Sequence, residues 1–537
     1  MRFWLVIIVV TIMLSTLPAQ RVEFTIEGVP NLYRFSQLQT DYDVNRDGYD
    51  DFTIGLFPYF SRRQIGFFCG KTGQLLRVVF TPQYHKDWDF RHVPRPCGDH
   101  DRDGFEDYIT ILENNQLLFS SVQIRSGKDD RVLKEFVQRV HTYAQAPLQR
   151  ADYDGDGKSD YAYLLFGPSP EDKRWVEVYR QNGFLLWKRD FLPNWGIYAI
   201  GIGDVNGDGS DDIAWRDEHN AVKAVSGKDG STIYTVRGPQ WDDALGTGGI
   251  TGCGDIDADG CDDWAVSSNV HPGPSLVMVI SGKSGQTLFT WRRMFNGFSN
   301  GYGCFVHSGH DVDGDGIADL AVGAAEPKVA NSYILGRIFI YSLRTGRELF
   351  DIGPPHGQNL GACGSFLLPP LPGKTFGRVL TGDRGISDAS GPVGRIYPID
   401  LTPDGVATVG QRCPGKSTYD AKIGLSNHGA EGIRYHLHGA PPAAPAFLFL
   451  GTSATQWGSA KLPLSLDAFG LPGCLLYTSV DTVHAATTGT SGIDKGYAYA
   501  ELKLPLGIGS KLYAQWYVLD PTQPSHGLLT RALETQH

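Results

Sequence analysis

Apolar residues in this chain fall in short runs separated by polar, glycine-rich turns, the pattern of a protein built from many short strands. The stretch around residue 200 shows the unit. Ile197 to Gly203 reads as one strand, Asp212 to Arg216 as a second, Ala221 to Val225 as a third and Ser231 to Val236 as a fourth. The turn Ser226-Gly227-Lys228-Asp229-Gly230 joins the last two. It returns as Gly70-Lys71-Thr72-Gly73, Ser126-Gly127-Lys128-Asp129, Ser281-Gly282-Lys283-Ser284-Gly285 and Arg344-Thr345-Gly346. Composition agrees. With 66 glycines, 12% aromatics, 4 methionines and no long Ala/Glu/Lys/Leu-rich stretch, the chain reads as all-β.

One loop is repeated between the first two strands of each unit. Asp43-Val44-Asn45-Arg46-Asp47-Gly48-Tyr49-Asp50-Asp51 has the form D-x-[DN]-x-D-G-x-x-D, and it recurs from Asp99, Asp152, Asp204, Asp255 and Asp311, at spacings of 51 to 56 residues. A hard cation such as calcium takes six to eight oxygens. Alternate positions 1, 3 and 5 turn side chains toward one point. Position 6 is the sharp bend and is glycine in every copy. Position 7 offers a backbone carbonyl, and position 9 closes the cage. The expected ligands are therefore Asp43, Asn45, Asp47, Tyr49 and Asp51 in the first loop, and Asp99, Asp101, Asp103, Phe105 and Asp107 in the second. The third has Asp152, Asp154, Asp156, Lys158 and Asp160, and the fourth Asp204, Asn206, Asp208, Ser210 and Asp212. The fifth has Asp255, Asp257, Asp259, Cys261 and Asp263, and the sixth Asp311, Asp313, Asp315, Ile317 and Asp319. An EF-hand is excluded, because its glutamate at position 12 is replaced here by Ile54, Thr110, Tyr163, Trp215, Val266 and Val322, which continue into a strand. Up to six Ca2+ ions would nearly cancel the formal charge of -11, so the acidity reads as metal-site charge.

Four strands in about 50 residues make a propeller blade. A seventh, degenerate unit follows the six. Gly377-Arg378-Val379-Leu380 and Gly394-Arg395-Ile396-Tyr397 match later strands of the sixth, while Leu367-Leu368-Pro369-Pro370-Leu371-Pro372-Gly373 stands in place of the acidic loop. A β-helix of calcium loops would have a much shorter period. The segments Gly203-Asp204-Val205-Asn206-Gly207-Asp208-Gly209 and Gly309 to Ala325 resemble FG-GAP repeats, which build the seven-bladed propeller of integrin α-subunits and of many bacterial exported proteins. The resemblance covers roughly residues 22–410. It implies calcium loops in the hairpin between strands 1 and 2 of each blade, on the lower face.

The N-terminus reads as a signal peptide over residues 1–19. Arg2 is followed by the apolar run Phe3 to Leu14 and a small-residue exit ending at Ala19. The run is shorter than the roughly 20 residues of a spanning helix. A secreted protein, extracellular, on the cell surface or in the periplasm, with no membrane span after cleavage, is expected. The propeller is expected over 20–410 and a C-terminal β-sandwich over 411–537, with strands at Ala446 to Leu450, Leu475 to Ser479, Ala498 to Leu502 and Lys511 to Leu519. There, His436 and His438 share one face of a strand and read as a polar surface stripe rather than a metal site. Eight cysteines in an exported chain point to disulfides. Cys413–Cys474 is the favoured pair, since only these two lie in the last domain, and the pairing of the other six is open.

The negative charge disfavours nucleic acid as a partner. No HExxH motif occurs, and the cluster His307, Ser308, His310 and Asp311 reads as surroundings of the sixth loop. Two function classes stand. One is a non-enzymatic adhesion or binding module for an extracellular glycan or protein. The alternative is an extracellular polysaccharide lyase or hydrolase built on a propeller. The connections opposite the acidic loops carry Trp88, Trp195 and Trp241, the candidate ligand-binding residues, with Tyr59, Phe60, His271, Phe295 and Phe298 nearby.

Overall fold

The computed structural model describes residues 10–11, 21–23, 25–27, 33–58, 64–80, 88–90, 94–114, 119–137, 143–145, 151–166, 174–191, 199–218, 220–240, 243–269, 275–293, 301–324, 336–353, 360–371, 374–383, 387–388, 391–392, 395–403, 406–413, 418–427, 432–502, 511–521 and 527–536. Among these, the regular structure is strand, apart from short 3-10 turns such as Asp467–Phe469 and Gly492–Asp494. The unit read around residue 200 is a four-stranded antiparallel sheet of Ala199–Gly203, Asp212–Glu218, Ala221–Val225 and Thr232–Arg237, in chain order.

Seven antiparallel sheets, five of four strands, one of five and one of six, follow one another around the chain among the described residues. Six are built from contiguous segments. The seventh contains Leu360–Leu368, Arg378–Asp383 and Arg395–Asp400, and its outer edge comes from the other end of the chain: Arg21–Val22 pairs with Ile399 and Asp400, and Ile26 with Ile396. A two-residue strand, Val10–Thr11, within the expected signal segment, pairs with Thr25 and Ile26.

The sheets pack face to face, and each neighbouring pair shares one apolar cluster. Ile202, Trp264 and Met278 lie between the fourth and fifth sheets. Val277, Val279 and Phe339 lie between the fifth and sixth. The run Ser275–Ile280 therefore sends alternate side chains into two different cores, which is why it reads as continuously apolar rather than alternating. Ile26, Phe52, Phe68, Leu380 and Ile396 join the seventh sheet to the first and close the ring. First strands of successive sheets touch from the fourth sheet round to the first, so they run along the inside of the ring. Indole rings such as Trp215 and Trp264, fully buried, contribute large apolar area to these seams.

Beyond the ring, Val406–Val409, Ala532–Gln536, Lys511–Leu519, Pro445–Gly451 and Thr482–Thr487 form one antiparallel sheet, with Gly527–Leu529 also on Lys511–Leu519. Lys422–Asn427, Ile433–His438 and Ala498–Leu502 form a second. Tyr435, Leu437 and Ala500 from the smaller sheet and Leu448, Ala514 and Trp516 from the larger one share a single core, which Phe376 enters from the propeller side. The strand Val406–Val409 thus lies in the C-terminal sheet, a few residues before the boundary read at 411. Cys413 and Cys474 are disulfide-bonded, the pairing favoured from their positions.

Candidate metal centre

Each acidic loop spans the hairpin between the first and second strands of its sheet, and all six are held by one hydrogen-bonding scheme. The position 6 glycine bends back with positive φ, from 80° at Gly157 to 91° at Gly260, where a side chain would be strained. Its N–H donates to the position 1 carboxylate: Gly48 to Asp43 at 3.0 Å, Gly104 to Asp99 at 2.8 Å, Gly157 to Asp152 at 2.6 Å, Gly209 to Asp204 at 2.8 Å, Gly260 to Asp255 at 3.0 Å and Gly316 to Asp311 at 2.7 Å. The position 5 N–H donates to the carboxylate at position 1 and to the side-chain oxygen at position 3, whether Asp or Asn; Asn45 and Asn206 each accept it at 2.9 Å. The N–H of position 7 (Tyr49, Phe105, Lys158, Ser210, Cys261 and Ile317) donates to the position 5 carboxylate at 2.9 to 3.0 Å.

Position 9 is the buried anchor. Its Oδ2 accepts the position 2 N–H in all six loops, from Val44 onto Asp51 to Val312 onto Asp319. Its Oδ1 accepts an N–H from the turn between the third and fourth strands in the first five: Gly70 to Asp51, Gly127 to Asp107, Gln181 to Asp160, Gly227 to Asp212 and Gly282 to Asp263. That bond explains the recurring turn. A Cβ on Gly70, Gly127, Gly227 or Gly282 would stand 1.8 to 1.9 Å from the carbonyl oxygen at loop position 8.

These bonds gather carboxylates that repel one another. Asp99, Asp101 and Asp107, then Asp152, Asp154 and Asp160, then Asp255, Asp257 and Asp259, and finally Asp311, Asp313 and Asp315 each bring oxygens within 4.8 Å of one another. Calcium–oxygen bonds of about 2.4 Å place two ligands on opposite sides of one ion about that far apart. Burial, reinforced by the loop's other carboxylates, pushes Asp51, Asp212 and Asp263 up to about 7 and Asp160 up to about 6. The donor set is all oxygen and mostly charged, which suits a hard divalent cation. Basic groups offset only part of the charge: Arg180 Nε lies 2.7 Å from Asp154, and Lys283 Nζ donates to the Asp259 carbonyl at 2.7 Å.

Two features escaped the sequence reading. Position 4 also adopts positive φ, even where it is Arg46, Arg102 or Ala258. Position 8 links one loop to the next. Asp211 Oδ2 accepts the Asp152 N–H at 2.7 Å, and Asp262 Oδ2 accepts the Asp204 N–H at 3.0 Å. The signal was the doubled Asp at positions 8 and 9.

The other candidates divide. His307 Nδ1 accepts the Leu367 N–H at 3.3 Å, and His310 faces Asp50, so the histidines beside the sixth loop hold neighbouring backbone and loop. His436 is buried against Ser426 and Tyr497, not part of a surface stripe. Trp88 begins a strand opposite Asn114, at the far end of Asp107–Asn114 from the acidic loop. Its side chain, and Trp195, Trp241, Tyr59, Phe60, His271, Phe295 and Phe298, lie outside the described residues.

Residues 152–215 match the FG-GAP-like repeat family, and residues 305–341 match the FG-GAP repeat family. No curated protein matches the chain in sequence. Among solved structures, it is similar to BBS1N in complex with ARL6DN, soaked with mercury, at 10% identity and a TM-score of 0.42, covering 71% of this chain and 97% of that one. The lead-soaked crystal of the same complex is similar at 10% identity and a TM-score of 0.42, covering 70% and 95%. Among the described residues, no helix is long and apolar enough to cross a membrane. The two repeat matches fall on acidic loops and strands of the ring just described, and the chain is a β-propeller that carries FG-GAP repeats.

Proposed function

We propose that this protein is a secreted calcium-binding propeller whose work is to hold an extracellular glycan or protein, without catalysis of its own. The observation that carries the calcium reading is the shared scheme of the six loops, in which the same backbone N–H groups hold side-chain oxygens in every copy and four of the loops bring three carboxylates within 4.8 Å of one another. FG-GAP repeats support a ligand-binding or adhesion-type propeller.

The ligand site in this reading is the end of the ring away from the acidic loops. Those loops join first and second strands, which supports the reading that the segments leading into the first strands, to which the sequence assigns Trp88, Trp195 and Trp241, serve the opposite end. Flat aromatic rings with few rotamers suit sugar rings and protein hot spots. The test is a glycan array and a polysaccharide-depolymerisation screen on the purified protein in calcium, repeated with Trp195→Ala and Trp241→Ala. Binding that the two variants lose at unchanged Tm supports the reading. Depolymerised substrate replaces it with the enzyme alternative.

A further inference from the structure

The sixth loop differs from the other five in what covers it. The C-terminal sheet Lys422–Asn427, Ile433–His438 and Ala498–Leu502 sits directly on it. The Leu425 N–H donates to the Asp313 carbonyl at 2.9 Å. The backbones of residues 314 and 424 meet so closely that a Cβ on Gly424 would stand 2.2 Å from the Gly314 carbonyl oxygen. His436 Nε2 lies 3.9 Å from Asp313 Oδ2, and His438 Nε2 lies 3.9 Å from Asp311 Oδ2. Arg344, in the turn beside the loop, spans the junction. Its Nε is 3.7 Å from Asp315 Oδ2, its two terminal nitrogens donate to Asp494 and to the Ile493 carbonyl at 3.0 Å, and it stacks 3.6 Å from the Tyr497 ring centre.

The covered loop is also short of partners. Asp313 is 2% exposed, and Asp315 and Asp319 are 0% exposed. The turn glycine that donates to the position 9 Oδ1 in most other loops is replaced by Leu343, whose side chain is packed into the core between the fifth and sixth sheets. Asp319 Oδ1 is accordingly left inside the protein with no hydrogen-bond partner, and its strongest electrostatic neighbours are Asp315 and Asp311. Four carboxylates thus meet one guanidinium and two imidazoles, in a place where burying unpaired charge is costly.

We propose that the sixth loop is an interdomain clamp: a divalent cation held there, and not those of the other five loops, fastens the C-terminal sheets to the propeller. The proposal rests on the reading of the loops as cation sites. Docking removes water from Asp313 and Asp315, which are buried here and not at the matching positions of the other loops, and an added positive charge offsets that burial. Cation binding and docking therefore strengthen each other, reciprocally.

The test uses the full chain and calcium as the probe. Bound calcium is counted, and hydrogen exchange is followed at the Leu425 amide. Asp311→Ala is expected to lose about one ion per chain and to speed exchange at Leu425 on the order of tenfold. Asp255→Ala, in the fifth loop, is expected to lose one ion and leave Leu425 protected. Gly424→Val places a side chain against the Gly314 and Asp313 carbonyls while leaving every ligand side chain in the chain, and is expected to weaken one calcium site of the set. Ion loss in Asp311→Ala with Leu425 still protected overturns the clamp while leaving the metal reading intact. So does a Gly424→Val chain with every site at wild-type affinity. An unchanged ion count in Asp311→Ala overturns both.

Discussion

Asp262 clasps Asp204 across the seam between the fifth and fourth sheets by two hydrogen bonds. Its N–H donates to the Asp204 carbonyl at 2.8 Å, and its Oδ2 accepts the Asp204 N–H at 3.0 Å. Asp211 holds Asp152 in the same way, at 2.8 and 2.7 Å. The residue clasped is position 1, whose carboxylate accepts the N–H of the bending glycine. One blade thereby fixes the loop of the blade before it.

Asp262→Ala should therefore damage the fourth loop although residue 262 is not one of its ligands. Losing a charged acceptor leaves the Asp204 N–H unpaired, a cost of about 1.5–3 kcal/mol. The expected result is a lower Tm and a weakened calcium site, with the fifth loop's own ligands in place. Calcium titration of Asp262→Ala beside Asp263→Ala checks this. If Asp262→Ala titrates like wild type, the clasp is incidental.

Gly282→Ala should destabilise the propeller by roughly 1–3 kcal/mol through overpacking. The added Cβ would stand 1.9 Å from the Asp262 carbonyl oxygen and push the turn off Asp263 Oδ1. Denaturant unfolding measures the loss. A variant as stable as wild type would show that the turn has room to shift.

Stability against pH should change sign with calcium. In metal-stripped protein, burial keeps Asp51, Asp212 and Asp263 protonated up to about 7, whereas unfolded carboxyls titrate near 4. Between those values the folded chain binds more protons than the unfolded one, so stability falls as pH rises. Saturating calcium requires ionised ligands, so there stability falls as pH drops. Thermal melts at pH 5 and pH 7.5, stripped and loaded, should give opposite slopes. Equal slopes would mean that the loops do not exchange protons for metal.

The loops were legible in the sequence because their chemistry demands residue types at fixed spacing: oxygens at 1, 3, 5 and 9, and glycine at 6. The strands around residue 200 were legible from their apolar runs, and Ala199–Gly203, Asp212–Glu218, Ala221–Val225 and Thr232–Arg237 follow them closely. What periodicity does not carry is the identity of a distant neighbour. Arg21–Val22 gives no local sign that it pairs with Ile399 and Asp400. His436 and His438 were placed on one face correctly, but alternation shows only which face they share. It does not show that the sixth acidic loop, more than a hundred residues earlier, covers that face.

Calcium dependence of the thermal transition tests the central claim most directly. Six loops of mutually repelling carboxylates lose their counter-charge when calcium is removed, and an ion that binds only the folded chain at a hundredfold excess over Kd adds about 2.7 kcal/mol per independent site. Melting the full chain in millimolar calcium and in excess chelator at pH 7.5, with bound metal counted in parallel, should give about six ions per chain and a Tm lower in chelator by well over 5 °C. A Tm that chelator leaves unchanged, or a loaded chain that holds no calcium, would contradict the account.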